Sequence, residues 1–127
     1  MSRFQFDCVF HYVSDMERAI SFYSGVLGLK LISRDVVGRF DIDGVLFELV
    51  PSGEDRVSRG DGNARLCLKV DDINNAVEYL KTKGVHSSEI RKVENGKLVS
   101  FEDMDGNEIY LWQYDFDHNQ APQFERP

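Results

Sequence analysis

Two amphipathic segments at a fixed distance limit this chain to a fold built twice. "SDMERAISFYS", residues 14–24, carries Met16, Ala19, Ile20 and Tyr23. "DDINNAVEYLK", residues 71–81, carries Ile73, Ala76, Val77 and Leu80. Each apolar residue of the first has a counterpart 57 positions on, from Met16 with Ile73 to Tyr23 with Leu80. Apolar residues at i, i+3, i+4 and i+7 share one helix face, so both segments are predicted to be amphipathic helices. Ser14 with Glu17 fits a capping box, and Asp71 or Asp72 can cap the second helix. Gly84 suits the second helix's C-terminal end, and the first runs out near Gly25 or Gly28.

Each helix follows a strand-like run, at 6–13 and 64–70, and Val13 and Val70 keep the same 57-residue offset. Three short runs come after each helix, at 29–34, 36–42 and 45–50, then at 88–93, 97–102 and 108–114. Gly38, "DIDG", "ENGK" and "DMDG" supply turn signals between them. Asn95-Gly96 within "ENGK" is read as a two-residue hairpin loop. The chain therefore reads as βαβββ twice, an α+β fold. The first module covers about residues 4–50 and the second about 64–115, with a polar, Gly-rich linker at 51–63 and a tail at 116–127. One such unit covers one face of its sheet with its own helix. Two units side by side can curl their mixed sheets into a shared trough, a natural ligand site.

At 127 residues and 42% hydrophobic content, the chain fits a single domain with a buried core. No apolar run is long enough for a bilayer, and "MSRFQFDC" lacks the basic-then-apolar profile of a signal peptide. A cytoplasmic protein without a membrane partner is expected. The net charge of −7 argues against nucleic acid, whose phosphates need a basic footprint. Cys8 and Cys67 form no CxxC and no metal-finger spacing, and are expected to be reduced and buried. No His cluster with metal spacing is present among His11, His86 and His118.

Strand alternation then sorts the side chains. Val9, His11, Val13, Phe47, Leu49, Leu66, Leu68, Val70, Ile109 and Leu111 fall on the helix side. The other side receives Cys8, Phe10 and Tyr12 from the first strand, and Leu46 and Glu48 from "DGVLFELV". In the second module it receives Arg65, Cys67 and Lys69, then Glu108, Tyr110, Trp112 and Tyr114. His11, on the helix side, is expected to be a partnered structural residue. The candidate ligand-binding residues are Cys8, Phe10, Tyr12, Glu48, Arg65, Cys67, Tyr110 and Trp112. Glu48 and Tyr110 stand four residues after Gly44 and Gly106. Only the first copy of the Asp-Gly strand thus carries a carboxylate there.

"VSDMERAISFYSGVLGLKL", an Asp-Gly strand after it, and a second βαβββ unit with "DMDGNEIYL" closely resemble the vicinal oxygen chelate superfamily. Glyoxalase I, extradiol dioxygenases and bleomycin-resistance proteins belong to that family. The resemblance covers about residues 4–115 and implies four metal-ligand places, at Cys8, Glu48, Arg65 and Tyr110. Glu48 is a suitable ligand, and Cys8 is an unusual one for the metals of this family. Arg65 offers only donors, and Tyr110 is weak unless deprotonated. The resemblance therefore implies a relative without metal or other cofactor. A metal-free protein holding an aromatic or heterocyclic small molecule is expected, as in the bleomycin-resistance branch. The alternative is a glyoxalase- or dioxygenase-like enzyme (lyase, isomerase or oxidoreductase) with a divergent or absent metal site. A protein–protein module is a third class with no specific signal. The family's habit of pairing modules implies a homodimer. Glu48, left without a metal, is expected to pair with Arg65.

Overall fold

A computed structural model describes residues 5–52 and 65–115. The linker from residue 53 and the tail from residue 116 lie outside the described residues. The first module forms β1 (Val9–Val13), α1 (Met16–Ile20), a π-helical turn (Ser21–Val26), β2 (Lys30–Arg34), β3 (Gly38–Ile42) and β4 (Val45–Pro51). The second forms β5 (Leu66–Lys69), α2 (Ile73–Thr82), β6 (Arg91–Val93), β7 (Gly96–Glu102) and β8 (Glu108–Tyr114). The repeated βαβββ order holds. Each module is one four-stranded mixed sheet, ordered β1-β4-β3-β2 and β5-β8-β7-β6. The first strand of each runs parallel to the last, and the remaining pairs are antiparallel. Among the described residues, no helix is long and apolar enough to cross a membrane.

Local chemistry explains most boundaries. Asp72 caps α2 by accepting from the Asn75 N–H at 3.1 Å. Gly84, with φ 76°, closes it in the left-handed conformation that favours glycine. The capping box expected of Ser14 does not form. Asp15 caps α1 instead, accepting from Arg18 N–H at 3.1 Å, and Ser14 is drawn to Asp105. The helix then widens, with Leu27 N–H reaching back to the Phe22 carbonyl at 3.0 Å.

Two hairpins fix register. Ile42 pairs with Val45 around Asp43 and Gly44, whose φ values of 51° and 89° suit a two-residue loop. In the second module Val93 pairs with Gly96, so the loop is Glu94 and Asn95, with Asn95 at φ 69°. This corrects the expected Asn95-Gly96 loop. Gly96 is the first residue of β7, and a Cβ there would run into the Gln113 carbonyl and the Trp112 ring.

The chain divides into two compact units. The first consists of the first module together with Asp103–Asn107, the loop between β7 and β8. Its core is aromatic: Tyr23, Phe40 and Phe47 are fully buried, with ring centroids 5.2–6.2 Å apart. Val13, Ala19 and Leu49 complete it. The second unit buries Ile73, Leu80, Val99, Phe101, Ile109 and Leu111. The period-2 burial of β4 and β8 matches the predicted helix side in both modules.

Candidate functional site

On the first sheet, the face turned away from α1 carries Phe10, Glu48, Arg39 and Ser33 in one row, set by the β1–β4–β3–β2 register. The Phe10 and Tyr12 rings meet edge to face at 5.3 Å and remain 46% and 42% exposed. Half-exposed aromatic rings on a sheet face are a ready surface for a flat apolar ligand. Arg39 Nε lies 3.4 Å from Glu48, while its Nη1 donates to both oxygens of Asp35 at 3.1–3.2 Å. Cys8 precedes β1, is half-buried, and sits near Glu48 and Asp7. Burial pushes its thiol above the ordinary value, and the carboxylates of Glu48 and Asp7 add to the rise. Its thiolate is therefore disfavoured.

On the second sheet, the corresponding face carries Cys67, Tyr110 and Ser100 in one row, and Lys69, Trp112 and Leu98 in the next. Arg65, just before β5, donates its Nε to Glu108 at 2.7 Å. That bond, with further help from the Tyr110 side chain, holds its guanidinium above the usual value. Trp112 and Tyr114 meet at 5.7 Å. The buried Trp112 Nε1 has no acceptor among the described residues. The structure thus gathers Cys8, Phe10 and Glu48 on one sheet, with Tyr12 beside Phe10. It gathers Arg65, Cys67, Tyr110 and Trp112 on the other.

One expectation needs correction. Both cysteines are free, but Cys67 is exposed and Cys8 only half-buried. Register sets Cys67 beside Tyr110 on the face away from the helix, and Cys8 stands just before β1. Within its own sheet, Glu48 meets Arg39 and Arg65 meets Glu108. Arg39 was not among the sequence candidates. The "DIDG" loop could have found it, since a two-residue hairpin at Asp43-Gly44 sets Arg39 opposite Glu48.

The four metal places implied by the family do not fit a metal here. Arg65 stays protonated and donates to Glu108, Glu48 faces Arg39, and the Cys8 thiolate is disfavoured. Among the described residues no three His, Cys, Asp or Glu side chains come together in a way that could hold a metal ion.

His11 is a partnered structural residue, as expected. Its Nδ1 lies 3.0 Å from Tyr23 Oη, and its ring stands edge-on to Phe47 at 5.2 Å. Tyr23 Oη donates to Asp103 Oδ2 at 2.8 Å. Burial lowers the His11 pKa from 6.5, with the Asp103 charge opposing in part. A base harder to protonate when folded makes the unfolded chain bind more protons. Its contribution is complete above the unfolded value near 6.5 and is lost as pH falls through the lowered folded value. Urea midpoints should therefore drop below pH 6.5 in the wild type, and less steeply in His11→Gln. Equal slopes in the two proteins would exclude His11 as the source.

The sequence pattern of the Glyoxalase/Bleomycin resistance protein/Dioxygenase superfamily matches residues 5–111. A probable lactoylglutathione lyase, chloroplastic, from Arabidopsis thaliana is 34% identical over 118 residues, covering 81% of this chain and 34% of that protein. The chain thus spans about a third of that relative's length. Among solved structures, the antibiotic binding protein TnmS3 from Streptomyces sp. CB03234 has a TM-score of 0.73 at 26% identity, covering 91% of this chain and 99% of its own. The fosfomycin resistance protein FosX from Mesorhizobium loti has a TM-score of 0.70 at 20% identity, covering 95% and 100%, and shares the fold. With two βαβββ sheets and a match over most of its length, the chain belongs to the glyoxalase/bleomycin resistance protein/dioxygenase superfamily.

Proposed function

We propose that this chain is a cytoplasmic protein that binds an aromatic or heterocyclic small molecule without a metal ion. The observation that carries this reading is the half-exposed Phe10–Tyr12 ring pair beside Glu48, on the sheet face away from the helix. Tyr110, Trp112 and Cys67 on the second sheet are proposed to bind as well, with Cys8 and Arg65 at the margins. The 26% identity to an antibiotic binding protein supports a binding role, and Arg65 at a ligand place supports metal independence. The assembly is proposed to be a homodimer, as an even multiple of such modules.

Calorimetry against a panel of planar heterocycles, with elemental analysis of dialysed protein, tests the reading. Saturable binding without stoichiometric metal is expected, weakened at least about tenfold in Phe10→Ala/Tyr12→Ala, which corresponds to about 1.4 kcal/mol. Near one divalent metal per chain, lost in Glu48→Ala, would overturn it. The 34% identity to a lactoylglutathione lyase favours a second reading, an enzyme of lyase or isomerase type. Turnover in a lactoylglutathione lyase assay, abolished by Glu48→Gln, would select it.

A further inference from the structure

The face-away residues of β1 are fastened from behind by a single loop. Asn107 Nδ2 donates to the Tyr12 carbonyl at 3.1 Å. Asp105 accepts from the Ser14 N–H at 3.1 Å and from Ser14 Oγ at 2.6 Å. Asp103 accepts from Tyr23 Oη, which in turn meets His11 Nδ1. Since Tyr23 spends its proton on a carboxylate, it can only accept from His11, so His11 carries its proton on Nδ1. Residues 11, 12 and 14 are thus all held by Asp103–Asn107, and His11 lies between Phe10 and Tyr12 in the strand. Asp103, Asp105 and Asn107 are 6–7% exposed, and Tyr23 is fully buried.

The second module shows that the fold does not need this polar chain. The repeat sets Leu68 at the place of His11 and Leu80 at the place of Tyr23. Leu80 is buried in the ordinary apolar way. Replacing a satisfied buried polar set with apolar groups is nearly neutral for stability. A chain of such groups kept in one module only therefore points to a role beyond packing. Hydrogen-bonded support behind a binding residue holds it to within a fraction of an ångström.

We propose that Asp103 and Tyr23 are positioning residues for the Phe10–Tyr12 ring pair, acting through His11 and the Tyr12 backbone. The role in binding rests on the function proposed above; the positioning itself does not. Two variants test it: Tyr23→Phe, which cuts only the link, and His11→Leu/Tyr23→Leu/Asp103→Leu, which replaces the polar chain with apolar groups. Ring resonances of Phe10 and Tyr12 are followed by NMR under conditions where each protein is fully folded, with indole as the titrated probe. In the wild type, ¹⁵N shifts should report His11 as the neutral Nδ1–H form. In Tyr23→Phe, His11 should change tautomer, the Phe10 and Tyr12 signals should move while those of Val99 and Leu111 stay, and indole should bind about fivefold more weakly. If the triple variant does not fold, Tyr23→Phe decides alone. Unchanged Phe10 and Tyr12 signals in a folded variant, or an Nε2–H His11 in the wild type, would overturn the positioning. Moved ring signals with no indole binding to any form would leave positioning standing and remove the ligand reading.

Discussion

Asp103→Ala should cost at least about 3 kcal/mol of stability, the largest loss expected of any single polar substitution in the first unit. Four donors converge on this 6%-exposed carboxylate. The Asp105 and Asn107 N–H groups reach Oδ1 at 2.8 and 2.9 Å, and Asn107 Nδ2 and Tyr23 Oη reach Oδ2 at 2.8 Å each. Removing the carboxylate strands all four where water reaches poorly, and each buried orphan costs about 1–3 kcal/mol before relaxation. Tyr23→Phe should cost less, about 1–3 kcal/mol, because Asp103 keeps three of its bonds and only the His11 N–H loses its acceptor. Equilibrium urea unfolding of the three proteins gives the comparison. A loss within about 0.5 kcal/mol for Asp103→Ala, the range of surface substitutions, would show the loop to be loosely held.

Gly96→Ala should destabilise the second unit by about 1–3 kcal/mol or more and alter the Trp112 emission. The reason is space. A Cβ at this buried position meets the backbone carbonyl of Gln113 and the indole of Trp112, and a backbone atom cannot yield as a flexible side-chain end can. Asn95→Ala, one residue earlier, acts by another mechanism. It forces a residue with a Cβ and no local side-chain bond to hold φ 69°, at about 1–2 kcal/mol. Near-UV spectra and Trp fluorescence separate the two, since only the Gly96 substitution should disturb the indole. Normal stability and emission in Gly96→Ala would mean that the β7–β8 approach is wider than observed.

By itself the sequence determined the repeat, the order of elements and the face on which most side chains lie. The reasons are local. A 3.6-residue period marks a helix stripe and a period of 2 marks a half-buried strand, whichever module carries it. Phe10 and Tyr12 could thus be assigned to the face away from the helix, and Phe47 and Leu49 to the core. The tertiary structure alone decided partners. Glu48 meets Arg39 because hairpin register places β3 beside β4. Asn-Gly in "ENGK" looks like a turn on propensity, yet the β7–β8 approach claims Gly96 for its missing side chain and shifts the loop by one residue. "DMDGN" reads as an ordinary turn, and Ser14 as an ordinary cap, until folding brings residues 91 positions apart within hydrogen-bond reach. Short-range pattern fixes which way a side chain points; what it meets there depends on segments distant in the chain, whose approach no local period encodes.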